Sequence, residues 1–291
     1  MTEQLTAAVG VTTTPARSGA VLRTLRHRPG TALALAFLLV LVVTSVVAPV
    51  FLHPNAFEAA QRLKGPSASH WFGTDNFGRD MLARTVFGAR ASLTVGVVTM
   101  AITAVAGTAL GILASMVRWV DMIVMRIVDG IMSFPIIVLA LALTAIMGGG
   151  LTTVIIALVV VFGPGMTRVV RGAALVVAGL PMIDAAKAVG ASRSRIFMKY
   201  VLPHCLTPIT VQAAIVFTQS VLVESALSFI GAGLPPDVPS WGSALSDARS
   251  YLMGAPWMWA FPGGALVLTI LALNTVIDTV RDTLDPRGGD V

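Results

Sequence analysis

Apolar residues run along this chain in long unbroken stretches, parted by shorter polar ones. Pro29 to Phe57 holds no Asp, Glu, Lys or Arg. Its core from Thr31, TALALAFLLVLVVTSVVAPVFL, predicts one helix of membrane-crossing length, which needs about 20 apolar residues. It is too long, and too poor in cleavage-site character, for a simple signal peptide. Ala91 to Val117 is a second uncharged run. Gly130 to Thr167 is a third, with Gly148, Gly149 and Gly150 in its middle. That glycine triplet predicts two helices joined by a tight turn. Tyr200 to Val223 predicts a fifth helix, continuing past Glu224 to about Ile230. Ser250 to Ile277 predicts a sixth, entered through Pro256, Trp257 and Trp259, aromatics of the kind that favour a membrane–water interface. No period-two alternation runs over ten-residue segments, which excludes a transmembrane barrel. The expected fold class is all-α: a polytopic membrane protein with six transmembrane helices.

Composition agrees with the pattern. Of 291 residues, 56% are hydrophobic and only 12% charged, and mean hydropathy is +0.85. A soluble domain of this length has too little interior to hide that much apolar surface. The net charge is +6 and the pI about 10.4. No basic stripe with stacking aromatics accompanies that charge, so nucleic acid is not an expected partner. Basic residues instead set orientation, because Lys and Arg gather in cytoplasmic loops. With the first segment inside, six of the 20 basic residues fall outside: Arg62, Lys64, Arg79, Arg84, Arg90 and Arg249. The other 14 fall inside, Arg17, Arg23, Arg26 and Arg28 among them. Both termini are therefore expected in the cytoplasm.

The expected organisation is a cytoplasmic tail over 1–28, a first transmembrane helix over 29–52 and an extracytoplasmic loop over 53–90. A core of five helices over 91–281 follows, with a cytoplasmic loop at 180–204 and a tail at 282–291. No glycine-rich loop ending in Gly-Lys-Ser/Thr is present, so the chain has no P-loop for nucleotide phosphates. There is no His-x-x-x-His, Cys-x-x-Cys or Gly-x-Ser-x-Gly, and no metal or cofactor is expected. The lone Cys205 excludes an internal disulfide.

The loop LPMIDAAKAVGASRSRIFMKYVLPH, from Leu180, carries the most information. Pro181 suits the first turn of a helix that includes Asp184, Ala185 and Ala186. Gly190 can end it in a left-handed conformation. Ser192 can cap a second helix through Arg193, Arg195 and Lys199, which Pro203 is expected to end. The result is a small rigid knob, low in profile at Ala185 and Ala186 and rimmed by positive charge. A basic loop resting on anionic headgroups would use the same helix signals. The spacing resembles the E-A-A-x3-G-x9-I-x-L-P motif of ABC importer permeases, read here as Asp184-Ala185-Ala186, Gly190, Tyr200 and Leu202-Pro203. Asp stands for Glu and Tyr for Ile. The resemblance implies a coupling helix that docks into an ATPase subunit.

Two further blocks flank the membrane. From His70 the chain reads HWFGTDNFGRDMLAR, where Thr74 or Asp75 can cap a short helix and Gly73 and Gly78 are turn or contact points. An ordered cap over the bundle and a direct solute contact both remain open for this block. After Glu224 it reads SALSFIGAGLPPDVPSWGSALSDAR, where Pro235, Pro236 and Pro239 preclude a continuous helix and predict a turn and re-entry. Gly73-Thr74-Asp75 with Gly78-Arg79-Asp80 resembles G-T-D-x-x-G-R-D. Glu224, Leu227-Ser228-Phe229 and Gly231 resemble E-x-x-L-S-F-x-G. Arg281-Asp282 with Leu284-Asp285-Pro286-Arg287 resembles R-D-x-L-D-P-R. These are motifs of the C-type permease subunits of dipeptide and oligopeptide ABC importers, and the resemblance covers nearly everything beyond residue ~20.

The resemblance implies a non-catalytic bacterial inner-membrane subunit beside a related B-type permease. It also implies two ATP-binding domains, fused or separate, and an extracytoplasmic solute-binding protein, with lipid around the helices. Nickel, heme and glutathione systems share the motifs, so these solutes stand as alternatives to peptide. From another class, an ion-coupled carrier would show broken helices in paired halves and more midplane carboxylates. A membrane-embedded enzyme would need a His, Asp or Ser cluster near one interface, and none is evident.

Ionisable groups inside spans are costly and mark interior faces or wet paths. Arg126 and Asp129, three residues apart on one helix face, are expected to pair with each other. Glu224 has no evident partner on its own helix. It is read either as an inter-helix lock near the outer gate or as a group lining the path. Gly107-x-x-x-Gly111 suits a close helix contact.

Overall fold

The computed structural model describes residues 28–51, 58–235 and 237–284, the side chains of Pro49, Arg193, Ser194 and Leu284 aside. Arg17, Arg23, Arg26, Pro236, Asp285, Pro286 and Arg287, named above, lie outside the described residues. Among those described, the chain is helical with no β-strand, only an isolated bridge between Thr74 and Asp80. The helices are α1 (Pro29–Phe51), α2 (Met81–Met116), α3 (Arg118–Met132), α4 (Ile136–Met147) and α5 (Leu151–Ala178). They continue as α6 (Pro181–Ala188), α7 (Arg193–Ile196), α8 (Leu202–Ile230), α9 (Trp241–Ala248) and α10 (Trp257–Leu284).

Five of these are long and apolar enough to cross a membrane: α1, α2, α5, α8 with its preceding turn, and α10. The third crossing is not the straight helix the uncharged run suggests. It is the pair α3 and α4, bent by 94° across Ser133, Phe134 and Pro135. Neither half alone reaches the ~20 residues a bilayer core requires. Pro135 is the cause, because it lacks an N–H and its ring collides with the carbonyl four residues back. Counted with this pair, the described residues hold up to six spans, as the pattern suggests.

α2 is the central strut. It packs along α5 and α8, and its contacts with α5 are the most extensive in the fold. Gly107 and Gly111 permit this approach. A Cβ built on Gly111 would lie 2.6 Å from the Thr167 carbonyl oxygen, and one on Gly107 2.6 Å from Met166. Lipid supplies no hydrophobic drive between helices, so packing of this kind carries their association. Val95 of α2, Val154 and Leu158 of α5, and Val216, Val223 and Leu227 of α8 fill the core between them.

Two helix boundaries differ from the sequence expectation. α2 starts at Met81, ten residues before the uncharged run, with Asp80 as its cap. The Asp80 carboxylate accepts from Leu82 N at 2.8 Å and Ala83 N at 3.1 Å. Thr74 and Asp75 cap no helix. Pro203 does not end the helix of the 180–204 loop either. The chain runs from α7 through one π-turn, Phe197–Val201, straight into α8. Leu202 donates its N–H to Phe197 O, five residues back. The widened turn takes in Pro203 as a first-turn residue of α8, where its missing N–H is no loss.

Candidate functional site

The ends of α2 and α5 and the start of α8 converge at one end of the bundle, under α6 and α7. Leu180 leads into Pro181 at the first turn of α6, as expected. Ile183 is buried and packs with Ala174, Val177, Ile196, Val201 and Cys205. That single apolar root orients the whole knob. Asp184 and Ala185 face away from it and are exposed, while Ala186 is half-buried against the cluster. Asp184 pairs with Lys187 on the same helix at 3.0 Å, both side chains open to solvent. Such a pair is worth at most about 1 kcal/mol. Gly190 has φ +80°, and a Cβ there would meet no atom within 4 Å. The position therefore demands glycine for its backbone conformation and for nothing else. Ser192 caps α7, accepting from Arg195 N at 3.3 Å. Arg195 and Pro203 are exposed, Leu202 is half-buried, and Arg193 stands at the start of α7.

The opposite end is built differently. Asp75 is fully buried. One carboxylate oxygen accepts from Phe77 N at 2.8 Å and Arg79 N at 2.9 Å. The other accepts from Arg79 Nε at 2.6 Å and Arg84 Nη1 at 2.7 Å. Both guanidinium groups also donate to Asp247 of α9, at 3.0 and 2.8 Å. Two arginines and two aspartates thus fasten the 58–80 segment, the start of α2 and α9 into one block. Thr74 adds to it: its hydroxyl donates to Gln61 O and accepts from Lys64 N at 2.9 Å. The indole of Trp257 donates to Thr74 O at 3.0 Å, and that of Trp241 to Thr85 O at 2.9 Å. Gly73 and Gly78 both have positive φ. A Cβ on Gly78 would fall 2.0 Å from Glu58 O. Asp80 carries His70 at 2.9 Å in addition to its cap. The predicted motif residues therefore come together. Arg84, Asp247 and Trp241 were missed. Their signal is an arginine, a further aspartate and a tryptophan beside runs that otherwise read as membrane or loop.

Glu224 lies fully buried between these two ends, nearer the block of aspartates and arginines. Its carboxylate accepts from Ser92 Oγ of α2 at 2.6 Å and Ser228 Oγ at 2.8 Å. Ser225 at 3.4 Å and Ser240, which also caps α9, complete the cradle. Ser225 and Ser228 belong to α8 itself, so a partner on the same helix does exist, one full turn away. The carboxylate bridges α2, α8 and the lead into α9 and is sealed from the surface of the chain.

Arg126 and Asp129 do not pair as their spacing suggests. Asp129 accepts from Arg168 of α5, and Asp121 one turn before α3's middle accepts from Arg171, with the second contact at 2.7 Å. The polar face of α3 lies against α5, whose two arginines reach both carboxylates first. Arg126 is exposed.

The profile of the family described as "Binding-protein-dependent transport system inner membrane component" matches residues 107–288. A putative peptide transport system permease protein of Brucella abortus biovar 1 is 41% identical over 267 residues, 91% of this chain and 90% of that one. The dipeptide transport system permease protein DppC of Alkalihalophilus pseudofirmus is 40% identical over 249 residues, 84% of this chain and 82% of that one. Among solved structures, the MetNI methionine ABC transporter in its inward-facing conformation aligns with TM-score 0.56 at 22% identity. That match covers 70% of this chain and 98% of the other, and it bears on the fold alone.

Proposed function

This chain belongs to the family of binding-protein-dependent transport system inner membrane components, and from that premise we propose its place in the machine. It is the C-type permease subunit of a bacterial ATP-driven importer for dipeptides and oligopeptides. A related B-type permease stands beside it, an ATPase pair below, and a solute-binding protein above. It performs no covalent chemistry and holds no cofactor. Both termini and the α6–α7 knob face the cytoplasm, and the 58–80 segment and α9 face outward. Glu224 acts as an inter-helix lock beneath the outward block.

One observation carries this reading. The knob is rooted by Ile183 yet presents a small, exposed tip of Asp184, Ala185 and the Gly190 bend. Such a tip fits a groove closely and transmits a push through α7 and the unbroken α8 into the bundle. ATP-driven closure of the ATPase pair moves the knob, and the bundle rocks between outward and inward openings.

The test is a pull-down. Ala185→Leu adds bulk at a fitted contact, an overpacking of about 1–3 kcal/mol. Gly190→Val forces a β-branched residue to positive φ. Neither position lies in the apolar core, so membrane abundance should stay normal while ATPase recovery and solute-coupled hydrolysis fall. A loop that merely rests on lipid predicts firmer membrane binding and an undiminished ATPase.

A further inference from the structure

The bend between α3 and α4 opens a concavity beside the middle of α8 that none of the motifs accounts for. It has a volume of about 340 Å³, within the range of pockets that hold small ligands. Its walls include Phe134 at the bend, Leu139 of α4, Phe162 and Gly165 of α5, and Gln212 and Gln219 of α8. Gln212 sits near the centre of the 34-residue helix Phe197–Ile230. Gln219 is two turns further on, hence on the same face.

These two amides are out of place by the ordinary rules of a membrane helix. Among the described residues neither side chain makes a hydrogen bond. Gln212 is half-buried and Gln219 exposed on the chain surface. An amide left to hydrocarbon without a partner costs several kcal/mol. The face they share must therefore meet polar groups. Gly165 leaves the opposing surface of α5 bare beside Gln212, whose Nε2 lies 3.6 Å from where a Cβ would stand. The concavity is thus kept open next to an amide instead of filled.

We infer that this groove is this subunit's half of a solute-binding stretch of the path, with Gln212 and Gln219 as the groups that hold the backbone amides of a peptide in transit. Each glutamine offers two N–H donors and a carbonyl acceptor, the complement of a peptide unit. The lining holds no charged side chain, carboxylate, imidazole or thiol. It therefore reads the uncharged backbone and not the ends or side chains of the solute, which suits varied sequences. Neutral hydrogen bonds are also weak enough to let the solute leave. A divalent transition metal would find no carboxylate, imidazole or thiolate here, only the thioether of Met132 and amide oxygens. The inference rests on the peptide reading proposed above.

Two experiments on the assembled transporter test it. In the first, Gln212→Leu with Gln219→Leu is expected to leave the recovery of partner permease and ATPase unchanged. Uptake of a labelled alanyl dipeptide should fall about tenfold or more, the effect of stranding polar groups of a desolvated solute. Unchanged uptake overturns the inference. A loss of uptake that merely tracks a loss of partner permease also overturns it, and assigns the amides to the subunit interface. In the second, Gln219→Cys introduces a thiol where the native chain has only the buried Cys205. A small water-soluble thiosulfonate reagent should modify it, more slowly when binding protein and dipeptide are saturating and not when NiCl2 is added. An unreactive thiol, or one that dipeptide fails to protect, overturns the groove. Dipeptide uptake by the unmodified complex tests the peptide reading separately.

Discussion

The two ends of the bundle are held by opposite means. At one, the buried Asp75, Arg79 and Arg84 form a lattice of charge with the part-exposed Asp247, reinforced by two indole hydrogen bonds. At the other, α6 is held by Ile183 in a small apolar cluster, and its one ion pair is exposed. A buried charge lattice tolerates little displacement, since separating any member strands the rest in low dielectric. An apolar root of a few side chains sets position but permits tilt. The first end is thus built to keep its shape, and the second leaves room to tilt.

The contrast breaks most visibly at Asp75. Asp75→Ala takes from the buried Arg79 and Arg84 the carboxylate they share, and removing one partner of such a set costs about 3–5 kcal/mol. Membrane abundance and the thermal midpoint of the purified protein should both drop sharply. Normal values of both would mean that the lattice does not hold this end together.

Glu224 gives a smaller and more graded effect. Glu224→Gln keeps one acceptor oxygen, and the serine hydroxyls can rotate to accept from the new N–H groups. It should cost about 1 kcal/mol and retain transport. Glu224→Lys puts a cation in a cradle of hydroxyls with no carboxylate left, and should reduce both assembly and flux. Wild-type assembly and transport in the lysine variant would remove the residue from any locking role.

The smallest effect belongs to the exposed pair between α3 and α5. Asp129→Ala should change the thermal midpoint by no more than the ~1 kcal/mol of a solvent-facing pair. A shift as large as that of Asp75→Ala would show that α3 is held as tightly as the block around Asp75.

Much of this was legible in the chain, and the failures share a cause. The spans followed from runs without charge, so the first turns of α2 were lost, because Arg84 looks like loop until Asp75 and Asp247 neutralise it. The end of the fifth span at Ile230 and the bend at Gly190 were legible, since each rests on local backbone chemistry. The bend at Pro135 rests on the same chemistry but was masked by an otherwise uniform apolar run. Asp129 was paired with Arg126 by spacing along one helix, and the true partner came from a neighbouring helix that spacing does not reveal. Gln212 and Gln219 carry no charge and so raised no flag, although an amide in mid-membrane is nearly as informative.

If the α6–α7 knob is what an ATP-hydrolysing partner grips, the tip of the knob lies within cross-linking reach of that partner. Ala185→Cys, in a chain whose only other thiol is buried, allows a short bifunctional cross-linker to be anchored at the tip of the knob. In native membranes a single cross-linked product containing this chain and an ATPase subunit is expected, its yield changing when ATP is added. A tip that cross-links to no ATPase, in membranes where peptide uptake is intact, would contradict it.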